Sequence, residues 1–299
     1  MDRFHQMQVF TAVAEEQGFA AAARRLKTSP PAVTRAIAAL EQGLGVKLLN
    51  RTTRYVRVTE AGVRYLDDCR RILAEVDAAD EAAVGINAEP RGHLAVTAPV
   101  MFGRLFVMPG IVDYLQRYPD MEVDALFLDR VVNLVEEGLD VGVRIGEMAD
   151  SSMRALRVGE VRMVLVASPA YLQRDGLPTE PQDLLRRPIV ASHAGNFATG
   201  WRFNYPDAEH RVRVKPRLTT TTNDAAIEAA IAGTGITRVL SYQVASQLAD
   251  GSLKIVLSEF EPAPLPVHIV HRESRYASAK VRAFIDLLAE RLRKDKTLN

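Results

Sequence analysis

Apolar residues recur every three or four positions along the start of the chain, a spacing that predicts three short helices. Asp2 can cap the first helix, and Gly18 is predicted to end it in a left-handed conformation. The second helix is predicted over about 19–26 and the third over about 30–42, with a tight turn over 27–29 between them. This order is typical of a helix-turn-helix, in which the later helix enters a DNA groove.

The third predicted helix has two chemically different faces. Ser29 is a good N-cap, and Pro30 follows at a position where its missing N–H costs nothing. One face is apolar and is expected to turn to the core; it holds Val33, Ile37, Leu40 and Leu44. The opposite face is short-chained and mostly polar, so it can lie flat in a groove, although an ordinary solvated face is the alternative. It consists of Pro31, Thr34, Arg35, Ala38 and Gln42.

A basic hairpin is predicted after this helix. Short strands over 46–49 and 55–58 would place Arg51 and Arg54 in the loop that joins them. Arginines at such a tip suit phosphate oxygens and the negative potential of the minor groove. A structural ion pair between Arg51 and Glu41 is the alternative.

A long amphipathic helix is predicted from Thr59, which can cap it, to about residue 87. The helix cannot bury its heptad-like apolar stripe against itself, so pairing with a second copy is expected. Packing of the stripe on the protein's own body is the alternative. A dimer would hold two DNA-reading helices at a fixed separation, as a site with two-fold symmetry requires. The stripe consists of Leu66, Cys69, Leu73, Val76 and Ala83.

Beyond a hinge-like stretch at 88–92, strands and helices alternate. Such units predict a mostly parallel sheet covered on both faces, followed by a second unit of the same type. The predicted strands lie near 93–98, 121–128, 140–145, 161–167, 188–191, 212–218, 236–240 and 267–271. The predicted helices lie near 100–118, 131–137, 169–174, 181–185, 224–232, 242–249 and 277–294.

The composition is that of a globular protein of two or three domains: 299 residues, of which 47% are hydrophobic and 25% charged. We expect no signal peptide and no membrane span, because residues 1–18 carry acids and no apolar run reaches about 18 residues. The lone Cys69 fits the cytosol and leaves too little sulfur for a disulfide framework or a structural zinc site. A cytoplasmic protein without a bound metal is therefore expected.

The net charge of +1 is unevenly distributed along the chain. Residues 1–58 hold nine lysines and arginines against four acids, a net charge of +5, so the remaining residues sum to −4. A basic module on a mildly acidic body suggests a polyanion partner for that module alone. Charge by itself leaves a solvated basic face as the alternative.

The histidines and glycines of the chain show no catalytic arrangement. Ser192, His193 and the other histidines have neither the arrangement of a catalytic triad nor the spacing of metal ligands. Gly233 and Gly235 follow a predicted helix rather than a strand, and they are too close for a dinucleotide loop. We therefore expect no enzyme activity and no cofactor.

Two alternative functions remain. One is a small-molecule binding module without a DNA function, which the basic module contradicts. The other is a non-specific architectural DNA-binding protein, which would not need so long a C-terminal part.

One set of residues, with fixed spacing and no gap, comprises Phe19, Ala22, Ala23, Leu26, Ser29, Pro31, Val33, Thr34, Arg35, Ile37, Leu40, Glu41, Leu44, Gly45, Leu48, Leu49, Arg51, Thr59 and Gly62. This set closely resembles the LysR-type transcriptional regulators, with Thr34 where the family usually has serine. A looser similarity covers almost all the rest of the chain. It rests on 97–99, Pro109, 118–119, 138–140, 167–169 and 233–236.

The resemblance implies an α/β protein with an N-terminal winged helix-turn-helix, a long linker helix and a two-lobed effector domain like the type 2 periplasmic binding proteins. It implies a sequence-specific transcriptional regulator that binds double-stranded DNA as a homodimer or homotetramer at a two-fold-related operator. A small effector would bind between the lobes and change the geometry of the oligomer. The implied domains are 1–58 for DNA binding, 59–88 for the dimerising linker and 89–299 for the effector, with lobe I over 92–163 and 266–299 and lobe II over 164–265.

The match assigns DNA contacts to the first turns of the third helix, and the helical wheel independently turns Pro31, Thr34 and Arg35 outward. Arg35 suits a bidentate contact with guanine, and Pro31 can meet a thymine methyl group. Arg51 and Arg54 would bind phosphate or the minor groove. The residues that the match implies would touch base edges and nearby phosphates are Ser29, Pro30, Pro31, Thr34 and Arg35.

Ligands of open parallel sheets bind at the carboxyl ends of the strands, so the effector site is predicted there. Arg130 and Arg144 would supply charge, Met101 and Phe197 apolar walls, and the helix near Val100 free amides for an anionic group. A small carboxylate or aromatic compound is the expected effector, and solvated or internally paired arginines are the alternative. The predicted residues are Pro99, Val100, Met101, Arg130, Arg144, Asn196, Phe197, Asn223 and Thr234.

Overall fold

A computed structural model of the chain describes residues 2–51, 56–84, 89–148, 153–193, 200–205, 209–272 and 278–298. The chain divides into two compact units. The first consists of Met1–Glu89 with the short segments Asn133–Gly138 and Ser274–Ala279, and the second of the remaining residues. None of the described helices combines the length and the apolar composition needed to cross a membrane.

The first unit contains three short helices, a two-stranded wing and a long helix, as the apolar spacing predicts. Its elements are α1 (Arg3–Glu15), α2 (Phe19–Arg25), α3 (Pro30–Leu44), β1 (Leu49–Arg51), β2 (Val56–Val58) and α4 (Glu60–Val84). Phe10 and Val13 of α1 pack with Ile37 and Leu40 of α3, and all four are fully buried. The two strands pair antiparallel, with Leu49 opposite Val58. Burial of these apolar side chains stabilises the unit, at about 1.5–3 kcal/mol for each one.

Side-chain caps begin α1, α3 and α4 where the sequence predicts them. Asp2, Ser29 and Thr59 accept hydrogen bonds from backbone amides two or three residues later, at 3.3, 3.4 and 3.0 Å. Each cap satisfies an amide that the helix itself leaves without a partner.

The predicted role of Gly18 is wrong. Gln17 takes the left-handed conformation after α1, with φ 51°, whereas Gly18 is extended and directly precedes α2. Lys27 is likewise left-handed after α2, with φ 49°. A residue other than glycine in the left-handed conformation costs roughly 1 kcal/mol. The packing of the helices tolerates this strain, so these two helices end without a glycine.

The apolar stripe of α4 lies in two environments. Its first part, with Tyr65, Leu66 and Cys69, packs on the core of the three short helices, and Cys69 is fully buried. Packing on the protein's own body, the alternative considered for the stripe, therefore accounts for this part. Leu73 and Val76 farther along the helix are half-buried.

From residue 89 onward the chain contains both strands and helices, but the predicted alternation is interrupted, because β4 to β7 and β8 to β11 each follow one another without a helix between them. The strands are β3 (Gly92–Ala98), β4 (Met121–Phe127), β5 (Val141–Ile145), β6 (Met153–Val161), β7 (Met163–Ala167), β8 (Ile189–Ser192), β9 (Gly200–Asn204), β10 (Glu209–Arg213), β11 (Pro216–Thr220), β12 (Ile236–Leu240), β13 (Lys254–Val256) and β14 (Leu265–Arg272). The helices are α5 (Val100–Phe102), α6 (Met108–Arg117), α7 (Pro169–Asp175), α8 (Asn223–Ile231), α9 (Ala245–Ala249) and α10 (Ala279–Lys294). A π-helix at Gly103–Val107 joins α5 to α6, and 3₁₀ turns lie at Pro181–Arg186, Ser241–Val244, Ser258–Phe260 and Lys296–Leu298.

These strands form two five-stranded sheets and a separate hairpin of β9 and β10. The sheet of lobe I has the order β4–β3–β5–β14–β6, and the sheet of lobe II the order β11–β8–β12–β7–β13. In each sheet one strand (β3 or β8) is parallel to both neighbours, and another (β14 or β7) is antiparallel to both. The prediction of mostly parallel sheets is therefore wrong, because β7 and β14, the strands that follow each crossing between lobes, run against their neighbours.

Several observed elements differ from the predicted ones. Residues 131–137, predicted as a helix, include a turn in which the Asn133 side chain accepts a hydrogen bond from the Val135 amide at 3.0 Å. Such side-chain bonding competes with helix formation. β6, β9 and β13 are absent from the predicted strands, and the strand predicted over 212–218 is divided between β10 and β11.

The two lobes share one hydrophobic core, which continues across both sheets. Within it, the ring of Tyr242 from lobe II lies 5.3 Å from that of Phe102 and 5.7 Å from that of Phe106, both from lobe I. The chain crosses between lobes at Arg162 and returns over 257–264. An ion pair joins the two crossings, since Arg162 Nη1 lies 2.9 Å from an oxygen of Glu261.

Candidate functional site

The helix α3 presents an exposed edge from its first turn onward. Ser29, Pro30, Pro31 and Arg35 are exposed and Thr34 is half-buried, so the face predicted to be outward is outward in the structure. Within the described part of the chain, Arg35 makes no ion pair. Its guanidinium group is therefore available to an acceptor outside the protein.

The turn before α3 is closed by backbone hydrogen bonds. The amide of Thr28 donates to the carbonyl of Ala23 at 2.9 Å, and that of Lys27 to the carbonyl of Arg24 at 3.1 Å. This paired pattern terminates many helices and satisfies their last carbonyl groups. Ser29 follows at once and begins α3, so the exposed edge starts from a fixed turn.

Glu41 holds the wing to the end of α3. Its side chain is 3% exposed; one oxygen accepts from the amides of Leu48 (3.0 Å) and Leu49 (3.1 Å), and the other lies 2.7 Å from Lys47 Nζ. Burial alone would raise the pKa of Glu41, but these hydrogen bonds lower it below its ordinary value, so the group stays ionised. Leu44, predicted to face the core, is instead 37% exposed, because the buried position at this end of α3 belongs to Glu41.

Of the two arginines predicted in the wing, only Arg51 lies within the described residues. Arg51 lies at the end of β1, opposite Val56, and Arg54 lies outside the described residues. Glu41, the alternative partner for Arg51, already binds Lys47 and two backbone amides.

A cleft of about 660 Å³ lies between the two lobes of the second unit, a volume in the usual range for small-molecule sites. Its walls come from residues at or after the carboxyl ends of β3, β4 and β5 in lobe I and of β8, β11 and β12 in lobe II. This is where ligands bind in open parallel sheets. The lining residues are Pro99, Leu128, Asp129, Arg130, Val131, Arg144, Ile145, His193, Thr221, Asn223, Leu240, Tyr242, Gln243 and Leu265.

Four of the residues predicted for the effector line this cleft, namely Pro99, Arg130, Arg144 and Asn223. Each lies at the carboxyl end of a strand or within a few residues after it, on the edge of the sheet that faces the cleft. Asn196 and Phe197 lie outside the described residues.

Three predicted residues are not brought to the cleft lining. The amide of Val100 donates to the carboxylate of Asp129 at 3.0 Å, so it is not open to an external anion. Met101 is buried in the shared core. Thr234 precedes β12 instead of following a strand, which places it at the opposite, amino-terminal edge of the sheet.

The cleft carries hydrogen-bond donors on both lobes. Arg144 projects from β5 and donates to the carbonyl of Val132 at 2.6 Å, which fixes the guanidinium group in position. Tyr242 is 3% exposed, and burial, followed by the charge of Asp129, raises the pKa of its hydroxyl. The hydroxyl therefore stays protonated and can donate to a bound acceptor.

Sequence reasoning missed several lining residues. His193 directly follows β8, so the rule that located Pro99 could also have located it. Tyr242 and Gln243 belong to the 3₁₀ turn after β12, and Leu265 begins the strand that returns to lobe I. Their local sequence gives no signal, because the order of strands brings them to the cleft. Among the residues that the structure describes, no three His, Cys, Asp or Glu side chains could hold a metal ion.

Two family models match the chain. The model for "Bacterial regulatory helix-turn-helix protein, lysR family" matches residues 4–63, and the model for "LysR substrate binding domain" matches residues 87–293. The first match runs from α1 into α4, and the second covers both lobes and the cleft.

Similar proteins match over nearly their whole length. The HTH-type transcriptional regulator DmlR of Escherichia coli is 32% identical over 287 residues, which covers 96% of this chain and 93% of that protein. The full-length structure of the Vibrio cholerae virulence activator AphB is 26% identical with a TM-score of 0.63, covering 97% of this chain and 99% of that one. CrgA, a LysR-type transcriptional regulator from Neisseria meningitidis, is 28% identical with a TM-score of 0.62, covering 96% and 98%.

Proposed function

The chain belongs to the family of LysR-type transcriptional regulators, and we propose that it reads a two-fold-related operator through α3. A small effector in the cleft then changes the geometry of the oligomer on that DNA. Proteins of this family are regulators rather than enzymes, and they bind DNA and effectors as oligomers. The observation that carries the proposal is the exposed edge at the start of α3, where Arg35 has no counter-charge among the described residues.

The proposed DNA contacts divide into base reading and backbone positioning. The planar guanidinium group of Arg35 would bond bidentately to guanine, a contact worth roughly 1–3 kcal/mol of discrimination. The wing would contribute Arg51 and Arg54 to phosphate or to the minor groove. The residues of α3 and its cap that we propose contact base edges and nearby phosphates are Ser29, Pro30, Pro31, Thr34 and Arg35.

The domain division is part of this proposal: 1–58 binds DNA, 59–88 links two copies and 89–299 responds to the effector. A second copy would cover α4 at Leu73 and Val76, which are half-buried in one copy. A homodimer is the smallest assembly with the required two-fold axis, and a homotetramer pairs two of them. Since the target is chromosomal DNA, the proposed location is the cytoplasm.

The proposed effector is a small carboxylate or aromatic compound. Arg130 and Arg144 outnumber Asp129 in the lobe I wall, which gives this wall a net positive charge, and Tyr242 offers a protonated hydroxyl. Apolar groups such as Pro99 and Leu240 complete the lining. A cleft of this size and mixed character suits a ligand with one anionic group and an apolar body.

DNA reading is tested by replacing Arg35 with alanine. The probes are an operator duplex selected from random DNA by the wild-type protein and a scrambled duplex of equal length. We expect about ten- to a hundredfold weaker operator binding and only a few-fold weaker binding to scrambled DNA. Contacts to bases determine which sequence is bound, whereas positive charge attracts any duplex. Fluorescence anisotropy at one fixed salt concentration measures both.

Arg186→Ala is the matched control, because Arg186 is exposed in lobe II and the substitution removes the same charge. It should leave both affinities unchanged. Equal losses on the two duplexes for Arg35→Ala would show that this side chain does not read bases.

The effector class is tested by thermal unfolding in the presence of carboxylates, each paired with its neutral amide. We expect at least one carboxylate to raise the unfolding temperature more than its amide does, and Arg130→Gln to remove that difference. Arg186→Gln should retain it. A panel in which carboxylates never exceed their amides would count against the charge of Arg130 and Arg144 as the reason for binding.

A footprint separates the proposal from its alternatives. Two protected half-sites that change with the ligand fit a regulator, whereas uniform coverage of any duplex would identify an architectural protein. Absence of protection, with ligand binding intact, would identify a binding module alone.

A further inference from the structure

One carboxylate lies among the cationic and apolar groups that line the effector cleft. Among the described residues of that lining, Asp129 is the one acid, and it directly precedes the cation Arg130. The second lining arginine, Arg144, comes from β5. An effector that carries only a carboxylate would be attracted by the two arginines and repelled by Asp129. The arginines alone therefore do not describe which ligands the cleft selects.

The carboxylate of Asp129 is held in place by the backbone. Its Oδ1 atom accepts a hydrogen bond from the amide of Val100 at 3.0 Å, and the residue is half-buried. Within the described part of the chain, the other carboxylate oxygen makes no hydrogen bond and no ion pair. This oxygen is therefore a charged acceptor, fixed in orientation, that is left for solvent or a ligand.

The lobe II wall places a hydroxyl group near this carboxylate. After burial, the charge of Asp129 is the next cause that raises the pKa of the Tyr242 hydroxyl, so the two groups are close enough to interact across the cleft. The side-chain oxygen of the next residue, Gln243, already accepts from the amide of Leu240 at 2.9 Å. A ligand group between Tyr242 and Asp129 thus meets a donor on one side and a charged acceptor on the other.

We propose that Asp129 selects effectors that carry a hydroxyl or ammonium group besides their carboxylate, an inference that rests on the effector site proposed above. The donor group of the ligand bonds to the second oxygen of Asp129, and the carboxylate of the ligand faces Arg130 and Arg144. A ligand without the donor displaces water from Asp129 and leaves a charged acceptor unpaired. A site of this kind strongly rejects the analogue that lacks the donor.

Matched sets of small acids test this selection in the full-length protein. Each set holds a plain acid, its hydroxy acid and its amino acid: propionate, lactate and alanine; succinate, malate and aspartate; phenylacetate, mandelate and phenylglycine. Isothermal titration calorimetry at constant pH and ionic strength measures each affinity. We expect at least one hydroxy or amino acid to bind about tenfold more tightly than its plain acid. Preference for the hydroxy acid identifies a hydroxyl ligand, and preference for the amino acid an ammonium ligand.

Asp129→Asn is the variant that tests the residue, because asparagine keeps an oxygen for the Val100 amide but loses the charge. The preference for the donor-bearing acid should fall to about twofold or less. The plain acid should bind as tightly as before or more tightly, since the repulsion is gone. Asp286→Asn removes an equal charge from the exposed side of α10 and should leave every affinity unchanged.

The outcomes separate this inference from the effector site itself. Plain acids that bind the wild type as tightly as their hydroxy and amino partners would overturn the role of Asp129 and leave the effector site standing, and this comparison needs no variant. A preference that persists in Asp129→Asn, with folding checked by circular dichroism, would also overturn that role. If no acid of any set binds the wild type, the proposed effector class fails together with this inference.

Discussion

Gly62 occupies a position in the first unit where no side chain fits. A Cβ atom there would lie 2.1 Å from the carbonyl oxygen of Leu48 and 2.6 Å from a methyl group of Val58. Gly62→Ala must displace the root of the wing or the start of α4. We expect the free energy of unfolding of this unit to fall by about 2–3 kcal/mol, measured by urea denaturation.

Gly43→Ala in the last turn of α3 is the matched control. Its Cβ would meet only the side chain of Arg3, at an ordinary 3.6 Å, and alanine favours the helix by up to about 1 kcal/mol. The control should therefore be neutral or stabilising. A Gly62→Ala protein as stable as the wild type would mean that Leu48 does not pack against α4 in this way.

Among single residues, those whose role depends on nearby sequence could be predicted. Ser29 as a cap and Arg35 as an exposed side chain follow from helical geometry alone. Leu44 could not be predicted, because its exposure depends on Glu41 binding amides that lie seven and eight residues farther along the chain. Gln17 could not be predicted either, since its left-handed conformation reflects tertiary packing that overrides the preference for glycine.

At the scale of elements, the ion pair of Arg162 with Glu261 joins the two crossings between lobes. Glu261 is 11% exposed, and its second oxygen is buried without a hydrogen bond among the described residues. Burial raises the pKa of Glu261, and Arg162 opposes that rise. Arg162→Met leaves the carboxylate unpaired, so we expect about 1–2 kcal/mol lower stability at pH 7.

This loss should shrink as the pH falls. With Arg162 gone, the folded-state pKa of Glu261 lies still farther above its unfolded value, so the folded protein holds the proton more tightly. Protonation between neutral pH and about pH 5 therefore restores stability to the variant more than to the wild type. Urea denaturation at pH 7 and pH 5 measures the difference, and a loss independent of pH would assign the effect to packing.

Elements with strong local signals were predicted, whereas some of the strands that depend on distant pairing were missed. The helices α1 to α3 have apolar stripes within their own sequence, and α1 and α3 also begin at local side-chain caps. β6 has only two buried residues among its nine, and it pairs with β14, more than one hundred residues later in the chain. The cleft residues Tyr242 and Leu265 depend on that same order of strands, which is why the prediction located only part of the site.

For the whole molecule, the proposed dimer makes α4 the element on which operator binding depends. Leu73→Glu would place a charge in the contact between two copies, so we expect monomers at concentrations where the wild type is dimeric. Binding to a full operator should weaken far more than binding to a half-site. Analytical ultracentrifugation and anisotropy with both duplexes measure these effects.

Arg64→Glu is the control for that variant. Arg64 lies nine residues earlier, on the opposite face of α4 at roughly 100° per residue, and is 73% exposed. It should leave the oligomeric state unchanged. A Leu73→Glu protein that remains dimeric would exclude this part of α4 as the contact between copies.

The core shared by the two lobes limits the response that a ligand can produce. If the lobes swung apart like a jaw, the rings of Phe102, Phe106 and Tyr242 would have to separate and enter water. Binding of a ligand in the cleft should therefore change the relative positions of the two lobes only slightly. The heat-capacity change measured by calorimetry would then match the apolar surface of the ligand and of the cleft walls that it covers, with no added contribution from a rearranged core.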